Sequence, residues 1–185
     1  MEFRYKIMPG TLAYTGKELR SRWVAETTGL SGDAAAVFFG PCQVATEDLV
    51  DLDDARAGAT IVAARMAHVI VEHPGCDLEV GVLRQRLLVC LLCEALVSMG
   101  KSVRRDGDDA YSDGRKLTVS IAAPSAASCL IHLGVNIDPR GAPVPAIGLE
   151  EMGLRPVELM REVMAAYQRE IESAAYAAGK VRRVH

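Results

Sequence analysis

The chain has 185 residues, 50% of them hydrophobic and 24% charged, a balance that supports a folded core and excludes wholesale disorder. Its length points to a single domain over 1–185 rather than two. With 21 Lys and Arg against 24 Asp and Glu the formal charge is −3, which gives no general attraction for nucleic acid or an anionic membrane.

In chain order, Gly16 to Thr27 alternates charged and apolar residues at a helical period, and Ala34 to Phe39 reads as a buried strand ended by Gly40-Pro41. An acidic run follows, with Glu47, Asp48, Asp51, Asp53 and Asp54. Such a run suits either a metal ion or, more commonly, a solvated loop or helix start. Within Ala59 to Glu72, the β-branched stretch His68 to Glu72 reads as a strand that His73-Pro74-Gly75 breaks. Asp77 to Met99 carries the spacing of one long helix, and Gly100 is placed to end it.

The turn signal Asp113-Gly114 predicts a hairpin, because a type I′ turn needs residues that tolerate positive φ. It puts Lys116 at the start of a returning strand, Lys116 to Ala122, with another strand over Ser128 to Ile137. Together they predict an antiparallel meander. A Gly/Pro-rich loop over Pro139 to Pro145 and a short helical turn over Gly148 to Leu154 lead to a helix opened by Pro156 and running to Ile171. The tail from Lys180 to His185 is basic and expected to be exposed.

Leu87 to Cys93, the most apolar run, stops at Glu94, short of the roughly 18 apolar residues of a membrane span. Met1 to Lys6 has mixed charge with no apolar stretch behind it, so the expectation is a cytoplasmic protein without a secretory signal. Cys42, Cys76, Cys90, Cys93 and Cys129 are an odd set among apolar neighbours, the pattern of reduced thiols. Cys90 and Cys93 form a C-x-x-C that no second Cys or His pair completes, so no structural zinc is expected.

The string from Asp108 to Leu117, followed by Gly134-Val135-Asn136, resembles the catalytic core of biotin protein ligases. There an Asn-Asp pair precedes, across a hairpin, an Arg-Lys-Leu, and a Gly-Ile-Asn lies on a third strand. Asp109 stands seven residues before Lys116, the family spacing, and Asp108 replaces the usual Asn. Lys116 followed by His132, Gly134 and Asn136 is also similar to the lipoate and octanoyl transferases. Over the whole chain, Asp51 to Asp54, Met66 to Glu72 and Arg84-Gln85-Arg86 resemble the landmarks of an uncharacterised family of this superfamily.

This resemblance implies an α+β fold with a central, largely antiparallel sheet flanked by helices, as in class II aminoacyl-tRNA synthetases and biotin synthetases. It implies an enzyme of the ligase or acyltransferase kind, acting on a small carboxylic acid or acyl donor, with ATP and Mg²⁺ as candidate partners and a protein or small molecule as acceptor. Lys116 takes the role of the cation that offsets developing negative charge; outside the resemblance it is an exposed lysine after a turn. Asp109 and Asp108 are assigned to nucleotide or Mg²⁺ binding, against the alternative of a solvated Asp-Asp turn.

His132 and Asn136 are four apart on one strand and share a face. His132 is a candidate general acid or base, with a satisfied core histidine as the alternative, and His68 is a weaker candidate. The chain has no Gly-Arg-Gly-Arg or Arg-Arg-x-Gly-Gly-Gly segment, so Arg84, Arg86, Arg104 and Arg105 are the candidates for phosphate contacts. Pro145-Ala146-Ile147-Gly148 stands where the octanoyl transferases have Pro-Cys-Gly, and Val119 where biotin ligases have a glycine. A binding module without turnover and a structural homodimer are the competing readings.

Overall fold

The computed structural model describes residues 2–184. A five-stranded sheet is built from β1 (Arg4–Ile7), β2 (Ala34–Val44), β3 (Ile61–Pro74), β7 (Thr118–Pro124) and β8 (Ser128–Asp138), in the order β1-β2-β3-β8-β7. Only the β1–β2 pairing is parallel; β2–β3, β3–β8 and β8–β7 are antiparallel. A smaller sheet joins β4 (Arg104–Asp106), β5 (Asp109–Ser112) and β6 (Arg115–Lys116). The helices are α1 (Trp23–Thr28), α2 (Leu52–Arg56), α3 (Leu78–Ser98) and α4 (Pro156–Gly179). The expected α+β architecture, a largely antiparallel sheet flanked by helices, is present.

Strand alternation divides the core. Val37, Val69, Val71, Leu133 and Val135 point to one face of the sheet and pack with Leu88, Leu92, Met160 and Val163 from α3 and α4. Phe38, Met66 and Ile70 point to the other face, where Tyr14 and Trp23 join them. The central strands are buried on both faces, which is why β8 reads as a continuous apolar run instead of a clean alternation.

Several boundaries differ from the sequence reading, for local reasons. The helix expected over 16–27 is confined to α1, because Gly16 and Arg22 have φ of 93° and 67° and the Glu72 carboxylate accepts from the Arg22 N–H at 2.9 Å. Only beyond that anchor does the chain coil regularly. β2 runs through Gly40-Pro41 instead of ending there: the ladder shifts register between Gly40 and Cys42, and a bulge does not demand the N–H that proline lacks. β3 likewise extends from Ile61 to Pro74. The strand expected over 116–122 is split at Leu117 between the two sheets.

Other elements lie where the residues put them. Asp113 and Gly114 have φ of 51° and 72°, the pair of positive values that the β5–β6 turn requires. Asp77 caps α3 by accepting from the Val80 N–H at 2.8 Å. Gly100, φ 76°, follows the C-cap Met99, and the Lys101 N–H returns to the Leu96 carbonyl at 2.9 Å to close a Schellman turn. The acidic run forms a 3₁₀ turn (Thr46–Asp48) and α2, whose cap is Asp51. In the basic tail, His185 lies outside the described residues.

Candidate functional site

On the face away from α3 and α4, a cavity of ≈ 410 Å³ opens between the β2–β3 connection and the β4–β7 segment. Lys116, Asp108, Asp109, His132 and Asn136, all singled out from the sequence, line it together. A cavity of this size suits a small organic ligand.

Lys116 is fixed by its backbone and leaves its side chain half-free. Its N–H donates to the Pro145 carbonyl at 3.0 Å, and its carbonyl accepts from the Ile147 N–H at 3.0 Å and from Asn136 Nδ2 at 3.2 Å. The ammonium meets Asp109 at 2.8 Å, with side-chain exposures of 30% and 23%. Burial pushes the Asp109 carboxyl up, while Lys116 and the Tyr111 hydroxyl, which donates at 3.4 Å, pull it down. Asp108 instead accepts from Gln85 Nε2 at 2.9 Å, and Gln85 also reaches Ser120 at 2.7 Å. That network ties the β4–β5 turn to α3.

Asn136 therefore holds the lysine strand, and its side chain is spent on the Lys116 carbonyl. His132 sits deeper. Its ring stacks on Tyr14, centroids 3.7 Å apart and planes 12° apart, and its Nε2 lies 3.2 Å from His68 Nδ1. Burial, reinforced by His68, drives the His132 imidazole well below its ordinary pKa, so it is neutral. Burial likewise lowers His68 to about 4, opposed by the nearby Gly40 and Pro41 carbonyls. His68 Nε2 has no hydrogen-bond partner among the described residues.

The candidate arginines are elsewhere. Arg84 lies 3.5 Å from Asp33, while Arg86 is exposed on α3. Arg104 pairs with Asp106 at 3.1 Å and covers the Tyr111 ring, and Arg105 donates to the Gly107 carbonyl. None of the four lines the cavity. Arg84 belongs to a second buried cluster on the helix-facing side, where Asp33 meets His73 Nδ1 at 2.5 Å and His73 Nε2 meets the Tyr167 hydroxyl at 2.9 Å.

Sequence reasoning misses three parts of the site. Tyr14 lies in an irregular segment, and only its 2.9 Å backbone bonds with Pro41 and Gln43 bring it to His132. Pro145–Ile147 lacks the thiol of the octanoyl transferases, yet its backbone flanks Lys116. Asp48, Asp51 and Asp54 are visible as an acidic run, and the β2–β3 connection folds them onto the cavity. No three His, Cys, Asp or Glu among the described residues converge on a metal-sized point.

A family model described as Domain of unknown function (DUF366) matches residues 3–182. A protein of unknown function from Pyrococcus horikoshi is 38% identical and superposes with a TM-score of 0.94 over 99% of this chain and 100% of its own. A biotin protein ligase from Aquifex aeolicus in complex with biotin and ATP is 14% identical, TM-score 0.60, over 91% of this chain and 70% of its own. A putative lipoate protein ligase from T. acidophilum with bound lipoic acid is 13% identical, TM-score 0.60, over 93% and 86%. At those identities the likeness to the ligases is one of fold. Among the described residues no helix is long and apolar enough to cross a membrane.

Proposed function

The chain belongs to the DUF366 family, and from the cavity that its fold carries we propose that it binds a small carboxylic acid and acts on the acyl group, with Lys116 meeting the carboxylate. The observation that carries this reading is Lys116 itself, pinned through its backbone on three sides with its ammonium in the cavity. The fold shared with ligases whose structures hold biotin or lipoic acid supports it.

Negative charge grows on the acyl oxygens when a carboxylate is activated or an acyl carbon attacked, and a preplaced cation in a partly dry site stabilises it. Asp109 aims the ammonium and Asn136 acts as a positioning residue for the lysine strand. Neutral His132 offers a ring nitrogen to take or give a proton at the acyl group. The acceptor is a protein or small molecule with a nucleophilic group.

ATP fits less well. Among the described residues the cavity lining has one lysine, no arginine and five aspartates, whereas a triphosphate asks for guanidinium or metal charge. ATP with Mg²⁺ and an acyl thioester are the two activated partners to test. The missing arginines also favour a second reading, a binding module without turnover.

The experiment is turnover by the wild type and Lys116→Ala, measured as pyrophosphate exchange with ATP, Mg²⁺ and a pool of small carboxylic acids, and as acyl transfer from thioesters to hydroxylamine. Lys116-dependent turnover in either assay is the expected result. Acid binding without turnover moves the assignment to the binding module. Neither turnover nor binding overturns both.

A further inference from the structure

Five aspartates and one lysine line the cavity, and the histidine among them is uncharged. Asp109 is matched by Lys116 at 2.8 Å, and Asp108 is engaged with Gln85. Asp48, Asp51 and Asp54 are not comparably neutralised: Asp48 has only Lys17 at 4.0 Å, and Asp51 is spent on capping α2 through backbone N–H groups. The β2–β3 side of the cavity is thus a negative surface. Lys116, in β6, enters the cavity from the other side, next to the start of β7.

His132 gives an independent sign that the cavity takes a polar ligand. It is 3% exposed and lines the cavity, its Nε2 is taken by His68, and its Nδ1 has no hydrogen-bond partner among the described residues. That nitrogen is left for a ligand to engage in either tautomer, as acceptor or as N–H donor. The sign of the charge that the cavity accepts outside Lys116 is set by the aspartates.

We propose that the cavity selects a small carboxylic acid bearing a protonated amine, with its carboxylate on Lys116 and its ammonium against Asp48, Asp51 and Asp54. The carboxylate half rests on the function proposed above; the ammonium half rests on the aspartates, with the unpartnered His132 nitrogen as the sign of a polar ligand. Because the three aspartates do not converge on one metal-sized point, they make a broad negative surface that suits an organic cation with several N–H donors.

The test is calorimetric binding of two matched series, 4-aminobutanoate to 8-aminooctanoate against butanoate to octanoate, with hexylamine as the cation-only probe. At the best-fitting length the amino acid should bind about fivefold tighter than its matched alkanoate, the weight of one partly exposed ion pair. That gain should shrink with added salt and vanish in the triple variant Asp48→Asn/Asp51→Asn/Asp54→Asn, which keeps the cap of α2 because asparagine caps a helix about as well as aspartate. Melting curves check that the triple variant is folded.

Equal binding of the two series at every length, a gain that survives the triple variant, or no binding by either series overturns the proposal. If alkanoates bind and Lys116→Met abolishes it while the amine adds nothing, the ammonium half fails and the carboxylate reading stands. If hexylamine binds as tightly as the amino acids and Lys116→Met changes neither, the carboxylate half is wrong and the zwitterion falls with it.

Discussion

His68 Nδ1 lies 3.2 Å from His132 Nε2 across the β3–β8 ladder. The two are diagonal neighbours, since His68 pairs with Gly134 and His132 with Ile70. Both rings are buried beneath Tyr14 or Phe38, and burial disfavours their charged forms. The two imidazoles share one hydrogen bond and stay neutral chiefly because burial penalises a charge on either ring; charging both would add repulsion between two adjacent cations.

Acid should therefore destabilise the fold in a defined window. The unfolded chain takes up protons at its histidines near 6.5 while folded His68 resists until about 4, so stability is full above 6.5 and falls as pH drops toward 4. For His68 alone the loss is on the order of 3 kcal/mol. Urea unfolding across that range should show it, and His68→Asn should flatten the slope. A wild-type stability that does not change between those pH values would refute the neutral pair.

Lys116 and Asp109 make a second electrostatic prediction. Burial raises the Asp109 carboxyl and Lys116 restrains the rise, so Lys116→Met should move the Asp109 titration further upward. The sign follows from which state binds the proton: in the variant the folded chain holds it at higher pH than the unfolded chain, and stability falls as pH rises through the Asp109 value. Carboxyl NMR of wild type and variant reads this directly. A downward or absent shift would show that the ammonium does not face the carboxylate in solution.

Strands β2, β3, β7 and β8, helices α3 and α4 and the Asp113-Gly114 turn were legible because each rests on a local signal: β-branched runs, a leucine-rich period with Asp77 and Gly100 at its ends, and a residue pair that tolerates positive φ; β1 (Arg4–Ile7), a short edge strand with only alternate residues part-buried, was not. The cluster of Lys116, Asp109, His132 and Asn136 was legible through spacing and resemblance. Tyr14, the acidic lip and the displacement of the arginines were not. Each depends on a long-range event: a bridge from Tyr14 to Cys42, the folding of the β2–β3 connection over the sheet, and the pull of Asp33 on Arg84. Residue patterns within a segment carry no record of such meetings.

Two glycines separate backbone crowding from side-chain crowding. A Cβ on Gly40 would stand 2.0 Å from the Leu12 carbonyl oxygen, while one on Gly134 would meet Met66 Cε at 2.8 Å and Val119 Cγ2 at 3.1 Å. Side chains can swing aside and a hydrogen-bonded backbone cannot: Leu12 donates to the Phe39 carbonyl at 2.9 Å. Gly134→Ala should cost about 1–3 kcal/mol and Gly40→Ala more. Denaturant midpoints for the two variants check the order, and the reverse order would contradict the packing of the Leu12 segment on β2.

The buried Asp33–His73–Tyr167 cluster lies across the sheet from the cavity, and its worth is structural. His73 donates from Nδ1 to Asp33, so neutral Nε2 accepts from the Tyr167 hydroxyl on α4. Burial lowers His73 despite the Asp33 carboxylate, with Arg84 acting in the same direction, which keeps that acceptor available. Tyr167→Phe leaves Nε2 buried without its partner and should cost about 1–3 kcal/mol, while the ring still packs edge-on against Phe3 at 5.2 Å. Because α4 touches the opposite face, ligand affinity in the cavity should not change. A stability loss in urea with unaltered binding is the expected pair of results; a loss of binding at unchanged stability would mean the two faces of the sheet communicate through His73.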